Sequence, residues 1–445
     1  MSPSSMPSVS GSYPMRAGNR VRPLVDGPPI FRRIGEAVET AQHSIWVTVA
    51  FYSHAFRFPA GQGALFDVLD RAVACGVDVR LLIWRPNPEN FGLNATFAGT
   101  AADRELLGMR GSRFKIRWDR IPGRHCQHQK TWMIDAGRLG ETAFVGGANL
   151  SAHALERHDV YVEVTGPSAT DVHHNFVQRW NEASERNEAD GNWSCDATDR
   201  LSFPSRASEP CGSSTVQIQR MLHRERYTDG HPAPDGQPFD VARGERSILD
   251  QYERAIDSAQ RTIYLENQAI PIPPLADRLA RALERGVAIV LLVPAMPEAH
   301  VVAARHDPAE RTHFDSLADL GHHPNFMLAG IAEPGPEGRR PKYVHTKLMV
   351  VDDAWATVGS CNLHRFSLSG HSEMNASIWD ASVARELRCT LLAKHLAMDT
   401  ATLDDRAALD AYRRIARENR RRMESGDADW QGQAFALDPD RYALT

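Results

Sequence analysis

The segment Val344–Asn362 reads VHTKLMVVDDAWATVGSCN, and the fold is decided by its recurrence. His345, Lys347 and Asp352 stand in the spacing His-x-Lys-x4-Asp, and Gly359, Ser360 and Asn362 close the unit. Residues 128–149, HQKTWMIDAGRLGETAFVGGAN, repeat the plan: His128, Lys130 and Asp135 hold the same spacing, and Gly146, Gly147 and Asn149 end it. Three specified positions recur by chance in any proteome. Two copies, each with its glycine–asparagine tail, do not.

The flanking sequence repeats as well. Ala37, Ala41, Gln42 and Ile45 find counterparts in Ala255, Ala259, Gln260 and Ile263. His345 follows His128 by 217 positions and Ala255 follows Ala37 by 218. Such an offset marks a duplicated domain. In each copy a helical pattern leads into an apolar strand (SIWVTVAFY from Ser44, TIYLENQ from Thr262), then a helix stopped by glycine (Gly76, Gly286) and a further strand. Strands alternating with helices predict a mixed α/β layer structure.

With two His-Lys-Asp units, the chain resembles the phospholipase D superfamily. That resemblance implies two pseudo-symmetric mixed-sheet α/β/α halves, packed about a two-fold axis with one active site at their interface. The expected organisation is a disordered lead-in over 1–20, rich in Ser and Pro, and a first half over 21–186. A linker with one edge strand at Thr215–Arg220 spans 187–244. The second half covers 245–400, and a C-terminal helix and tail cover 401–445.

Phosphodiester chemistry needs cations around the non-bridging oxygens and a pair of proton-handling groups. Lys130 and Lys347 fit the first need: of 51 Lys plus Arg only five are Lys, and two of the five lie in the paired motifs. A compact ammonium differs from the planar guanidinium used elsewhere in this chain. Imidazole serves the second need, as nucleophile when neutral and as acid when charged. The resemblance implies that His128 attacks phosphorus and His345 protonates the leaving alcohol. Asn149, Asn362, Ser360 and Gly147 would line the phosphate site, and carboxylates at Asp159 and Glu373 would hydrogen-bond the two histidines. Asp135 and Asp352 would brace the motifs. IYLENQAI, from Ile263, resembles a strand of the phospholipase D branch, so Glu266, Asn267 and Gln268 are expected in the substrate pocket.

No metal or other cofactor is expected: no zinc spacing appears among six cysteines, and the histidine pairs His173–His174 and His322–His323 read as surface or loop residues. Cys195 and Cys211 could pair only in an oxidising compartment. A net charge of −5 gives no global basic field, so nucleic acid is not the expected partner. The longest apolar run, 287–294, suits a buried strand and not a membrane span. The expected protein is a monomer, soluble in the cytoplasm or peripheral to a membrane, that meets a phospholipid surface from outside. Its expected reaction is headgroup hydrolysis to phosphatidic acid through a phosphohistidine, with transphosphatidylation when an alcohol replaces water. The alternative is cardiolipin synthase-type transfer to a lipid alcohol, weakened by the absence of that group's N-terminal membrane spans; a nuclease of the same superfamily comes next.

Overall fold

The computed structural model describes residues 6–87, 96–183, 199–336, 338–427 and 429–444. Cys195 falls outside them, so its pairing with Cys211 lies outside the described residues.

Each half is built on a seven-stranded run with the same order. In the first, Arg16–Val25 pairs with Val160–Thr165, followed by Thr142–Gly146, Thr131–Ile134, Ser44–Val49, Asp78–Trp84 and Lys115–Asp119. In the second, Ser214–Leu222 pairs with Glu373–Trp379. Trp355–Gly359, Lys347–Val351, Thr262–Asn267, Ala288–Leu292 and Phe326–Gly335 follow. In both runs the last three strands are parallel and the others antiparallel. The parallel strands read as continuous apolar runs because helices cover them. Ile30, Phe31, Ile34, Leu65, Phe66 and Leu69 cover one sheet, and Ile248, Tyr252, Leu275, Leu279, Phe314 and Leu317 the other.

The opposite faces of the two sheets share one core. It holds Val145, Val162 and Val164 with Val216, Val358, Ala376 and Ile378. Helix Ala169–Asn181 lies within this region and is buried at every residue. Its periodicity reads as amphipathic, yet its polar face is covered too, because each polar group has a partner. Asp171 takes a bidentate bond from Arg16 (2.8 and 2.9 Å), and His173 Nδ1 meets Glu141 at 2.8 Å. The pair His173–His174 is thus interior and not surface. His322, as expected, is exposed.

Two organisational expectations are corrected. The lead-in is ordered from residue 6: Tyr13 is buried, Ser12 Oγ donates to Glu245 at 2.7 Å, and the first strand begins at Arg16, inside the expected lead-in. The strand in the linker is not at an edge. Ser214–Leu222 lies between Arg16–Val25 and Glu373–Trp379, is the first strand of the second half, and joins the two sheets. The Arg-rich helix Asp405–Glu424 packs Leu409, Tyr412 and Ile415 into the shared core and turns its arginine-rich face outward. Among the described residues no helix is long and apolar enough to cross a membrane.

The motif aspartates hold each sheet together at one point. Asp135 and Asp352 follow strands Thr131–Ile134 and Lys347–Val351 in left-handed conformations, with φ of 53° and 55°. Asp352 accepts from the backbone N–H groups of Gln260, Arg261 and Thr262, each at 2.8 Å. Asp135 does the same for Gln42, His43 and Ser44 at 3.0, 2.6 and 3.1 Å. Each carboxylate therefore caps the start of the neighbouring strand. Asp352→Ala removes three bonds, leaves the part-buried Thr262 N–H without its acceptor and puts an alanine at positive φ, a loss of about 2 kcal/mol. Denaturant unfolding should register that loss, with Asp352→Asn falling between alanine and wild type because Asn keeps one acceptor and tolerates this conformation.

Candidate active site

Backbone pairing across the seam between the halves assembles the site. His128 N–H donates to Ser372 O at 2.8 Å and Ser372 N–H to Cys126 O at 3.0 Å; His345 N–H donates to His158 O at 2.8 Å and His158 N–H to Tyr343 O at 2.9 Å. The histidine-bearing segment of each half thus runs beside the residues leading into the other half's carboxylate. The consequence is an exchange of partners. His128 Nδ1 meets Glu373 at 2.9 and 3.0 Å, and His345 Nδ1 meets Asp159 at 2.7 Å. Sequence places Asp159 downstream of His128 and Glu373 downstream of His345; the fold crosses them.

His-x-Lys spacing sets both side chains on one face of an extended segment, since alternate residues point the same way. All four groups are buried, the histidines at 7% and 3% exposure and the lysines at 1% and 0%. Burial, then the neighbouring lysines, hold both imidazoles well below their usual range. Burial also pulls Lys130 down to about 8 and Lys347 to about 7. It pushes Asp159 up to about 6 against the pull of Lys347, and Glu373 upward against Lys130. The Lys130 ammonium has no hydrogen-bond partner among the described residues. Lys347 donates to Gln268 Oε1 at 3.1 Å and contacts the His345 carbonyl. Two desolvated ammonium groups beside two neutral imidazoles make a receptor for a phosphate anion, whose charge would restore their protonation.

The two sides are not chemically equal. Glu373 accepts from Ser360 Oγ at 2.5 Å and Ser367 Oγ at 2.6 Å, in addition to His128. Ser360 thereby spends its one proton on the carboxylate and has none for phosphate, which corrects its expected place among phosphate ligands. Asp159 is one methylene shorter and lies against Gly147, where an added Cβ would stand 2.6 Å from Asp159 Oδ1. Glycine makes room for the carboxylate; it is not a ligand through any side chain. Asn149 accepts from Phe51 N–H at 3.3 Å, and Asn362 Oδ1 is buried without a partner. Among the described residues neither asparagine NH₂ has a protein acceptor.

Of the three expected pocket residues only Gln268 reaches the site. Asn267 turns its Oδ1 back onto the N–H groups of Ala269 and Leu363 at 3.0 and 3.2 Å, a loop brace. Glu266 is buried against His158 and Tyr264. A strand's alternation forbids Glu266 and Asn267 from sharing one face. Residues that the motif reading missed are Tyr343, His371 and Ser367. Tyr343 lies two positions before His345, its ring 6.4 Å away, held by bonds to Glu298 and Gln268 at 2.7 and 2.9 Å. His371 accepts from Cys126 N–H at 3.0 Å with its ring 5.9 Å from His128. The signal for Tyr343 was its two-residue offset from His345. Nothing in the sequence marked His371 or Ser367.

This chemistry sets a pH limit. Lysine loses its charge as pH rises through its own pKa, so the depressed values place that loss near neutrality. We predict that kcat/KM, which reports the free enzyme, falls from about pH 7 upward and further through about 8. Bound phosphate holds the lysines protonated, so kcat should decline less. A kcat/KM profile flat across that window would contradict the assignment.

Comparison with known proteins agrees with this geometry. The family model described as "Cardiolipin synthase, PLD-like domain" matches residues 34–180 and 252–394, and the model "Phospholipase D" matches 127–270. The chain belongs to the phospholipase D superfamily of phosphodiesterases and phosphatidyltransferases. Cardiolipin synthase 1 of Staphylococcus epidermidis is 23% identical over 377 residues, 83% of this chain and 66% of that protein. Cardiolipin synthase B of Salmonella typhimurium is 25% identical over 401 residues, 84% of this chain and 80% of that protein. Phospholipase D A of Dictyostelium discoideum is 23% identical, and the match spans 81% of this chain but 33% of that protein. The chain thus spans just under two thirds of the first relative's length. The solved structure of phosphatidylserine synthase from Haemophilus influenzae superposes with a TM-score of 0.58 at 15% identity, covering 93% of this chain and 96% of that one. The duplicated mixed α/β fold expected from the motifs is the one observed.

Proposed function

We propose that this protein is a phosphatidyltransferase of the cardiolipin synthase type, moving a phosphatidyl group from one phospholipid to the alcohol of another at a membrane surface. The observation that carries the reading is the similarity to cardiolipin synthases of two unrelated bacteria across more than four fifths of the chain. The site is compatible with it: the histidines are nearly closed to solvent, so a covalent intermediate is shielded from water until an acceptor fills the leaving group's place.

In the proposed reaction His128, its Nδ1–H given to Glu373, attacks phosphorus through Nε2. His345, its Nδ1–H given to Asp159, takes up a second proton at Nε2 as the anionic phosphate binds, delivers that proton to the departing headgroup oxygen and later takes one from the incoming hydroxyl. Lys130, Lys347 and the two asparagine amides hold the non-bridging oxygens. No step calls for a metal at this site, and one chain supplies every group, so a monomer suffices. Hydrolysis to phosphatidic acid is the second reading, favoured by the similarity to the Dictyostelium phospholipase D.

Lipid mass spectrometry separates the two. Vesicles of phosphatidylglycerol should yield cardiolipin and glycerol. Phosphatidic acid, diverted to phosphatidylethanol by ethanol, would replace the transferase reading with hydrolysis. If a folded protein altered no lipid, a lipid substrate would be excluded.

A further inference from the structure

Apart from the catalytic seam, three side chains remote in sequence converge. His158, Glu266 and His395 each offer a ligand atom, all within 4.8 Å of one another, and all three are wholly buried. His158 comes from the first half, Glu266 from strand Thr262–Asn267, and His395 from helix Ala381–Leu396 of the second. Their remoteness explains why no spacing motif announced them.

Their outer atoms are already anchored. His158 Nδ1 meets Asp26 at 2.7 Å, and the Tyr264 hydroxyl donates to Glu266 Oε1 at 2.7 Å. A phenol has one proton, so the 3.0 Å contact between Tyr264 and His395 Nδ1 must use the imidazole's proton. That leaves His395 Nε2, which is buried with no partner among the described residues. The remaining inner atoms, His158 Nε2 and Glu266 Oε2, lie 2.9 Å apart and share one proton.

We infer that His158, Glu266 and His395 form a binding site for a divalent transition-metal cation, with zinc the best match to two imidazoles and one carboxylate. Asp26 and Tyr264 orient the ligands from outside, the arrangement that protein metal sites use to fix ring tautomers. The cation replaces the proton shared by His158 and Glu266, which passes to solvent. Its place in the fold gives it a positioning role. The His158 carbonyl holds His345 N–H, and the next residue, Asp159, orients the His345 ring. A cation here fastens that segment to the second half.

The test uses the full chain after exhaustive chelation, titrated with Zn²⁺ by calorimetry and with Co²⁺ by absorption spectroscopy. Expected are one equivalent per chain, a tetrahedral Co²⁺ spectrum, and a rise in melting temperature with Zn²⁺. His395→Ala should weaken binding at least ~100-fold, as should the near-isosteric Glu266→Gln if the alanine variant does not fold. The double variant His128→Ala/His345→Ala should keep its equivalent. Failure of the wild type to bind Zn²⁺ would overturn the inference and leave His158 simply hydrogen-bonded between Asp26 and Glu266. Loss of binding in the double variant would overturn it too, since the ion would then belong to the catalytic histidines. Neither readout involves lipid turnover, so this test and that of the proposed reaction fail separately.

Discussion

His128→Ala is expected to lower phosphatidyl transfer by at least ~10⁴-fold, and His345→Ala by a similar factor on natural lipids. Both variants should fold, because neither imidazole is a brace: each is bonded to one carboxylate and faces the space between the lysines. The two losses differ in kind. A nucleophile has no substitute, whereas an acid is needed only when the leaving group is poor. A phosphodiester with a nitrophenol leaving group should therefore restore most of the first chemical step to His345→Ala and none to His128→Ala. Initial rates on both substrates, beside melting curves, check this. Restoration in His128→Ala instead would reverse the two roles.

Glu373→Gln and Asp159→Asn carry the next largest effect, about 10²–10⁴-fold each, the scale on which a histidine suffers when its orienting carboxylate becomes an amide. The crossed pairing makes the pattern specific. Glu373 lies in the second half but serves His128, so Glu373→Gln should behave like His128→Ala and gain nothing from an activated leaving group. Asp159 serves His345 across the same seam, and Asp159→Asn should regain activity on that substrate. Pairing within each half would give the opposite pattern. Glu373 also carries the hydroxyls of Ser360 and Ser367, so its loss should be the larger.

The crossing explains what the sequence could and could not disclose. Spacing alone located His128, Lys130, His345 and Lys347, because the pattern is local: an extended segment places His and Lys on one face, and a strand separates Lys from the capping aspartate. The duplication was legible from the matched offsets, and with it the succession of helix and strand along both halves, though not the order of strands in the sheets. Partnership between His345 and Asp159 was not legible, because it is created by pairing between two halves that no local periodicity describes. The same cause lies behind the other corrections. Thr215–Arg220 reads as an edge strand in isolation, yet it joins the sheets. His173 and His174 read as surface or loop residues, yet they meet Glu141 and Tyr13 in the interior. Asn267 has the opposite parity to Gln268 and turns away from the site, and Glu266, one pair further back on the same face as Gln268, is taken up by His158 and Tyr264.

The most direct test of the central claim, one site formed from two crossed halves, is acid-quenched trapping of the covalent intermediate with a short-chain phospholipid, mapped by peptide mass spectrometry. A phosphatidyl adduct is expected on the peptide bearing His128. It should persist in Asp159→Asn and be absent from Glu373→Gln. An adduct on the His345 peptide, or one undiminished in Glu373→Gln, would contradict the account.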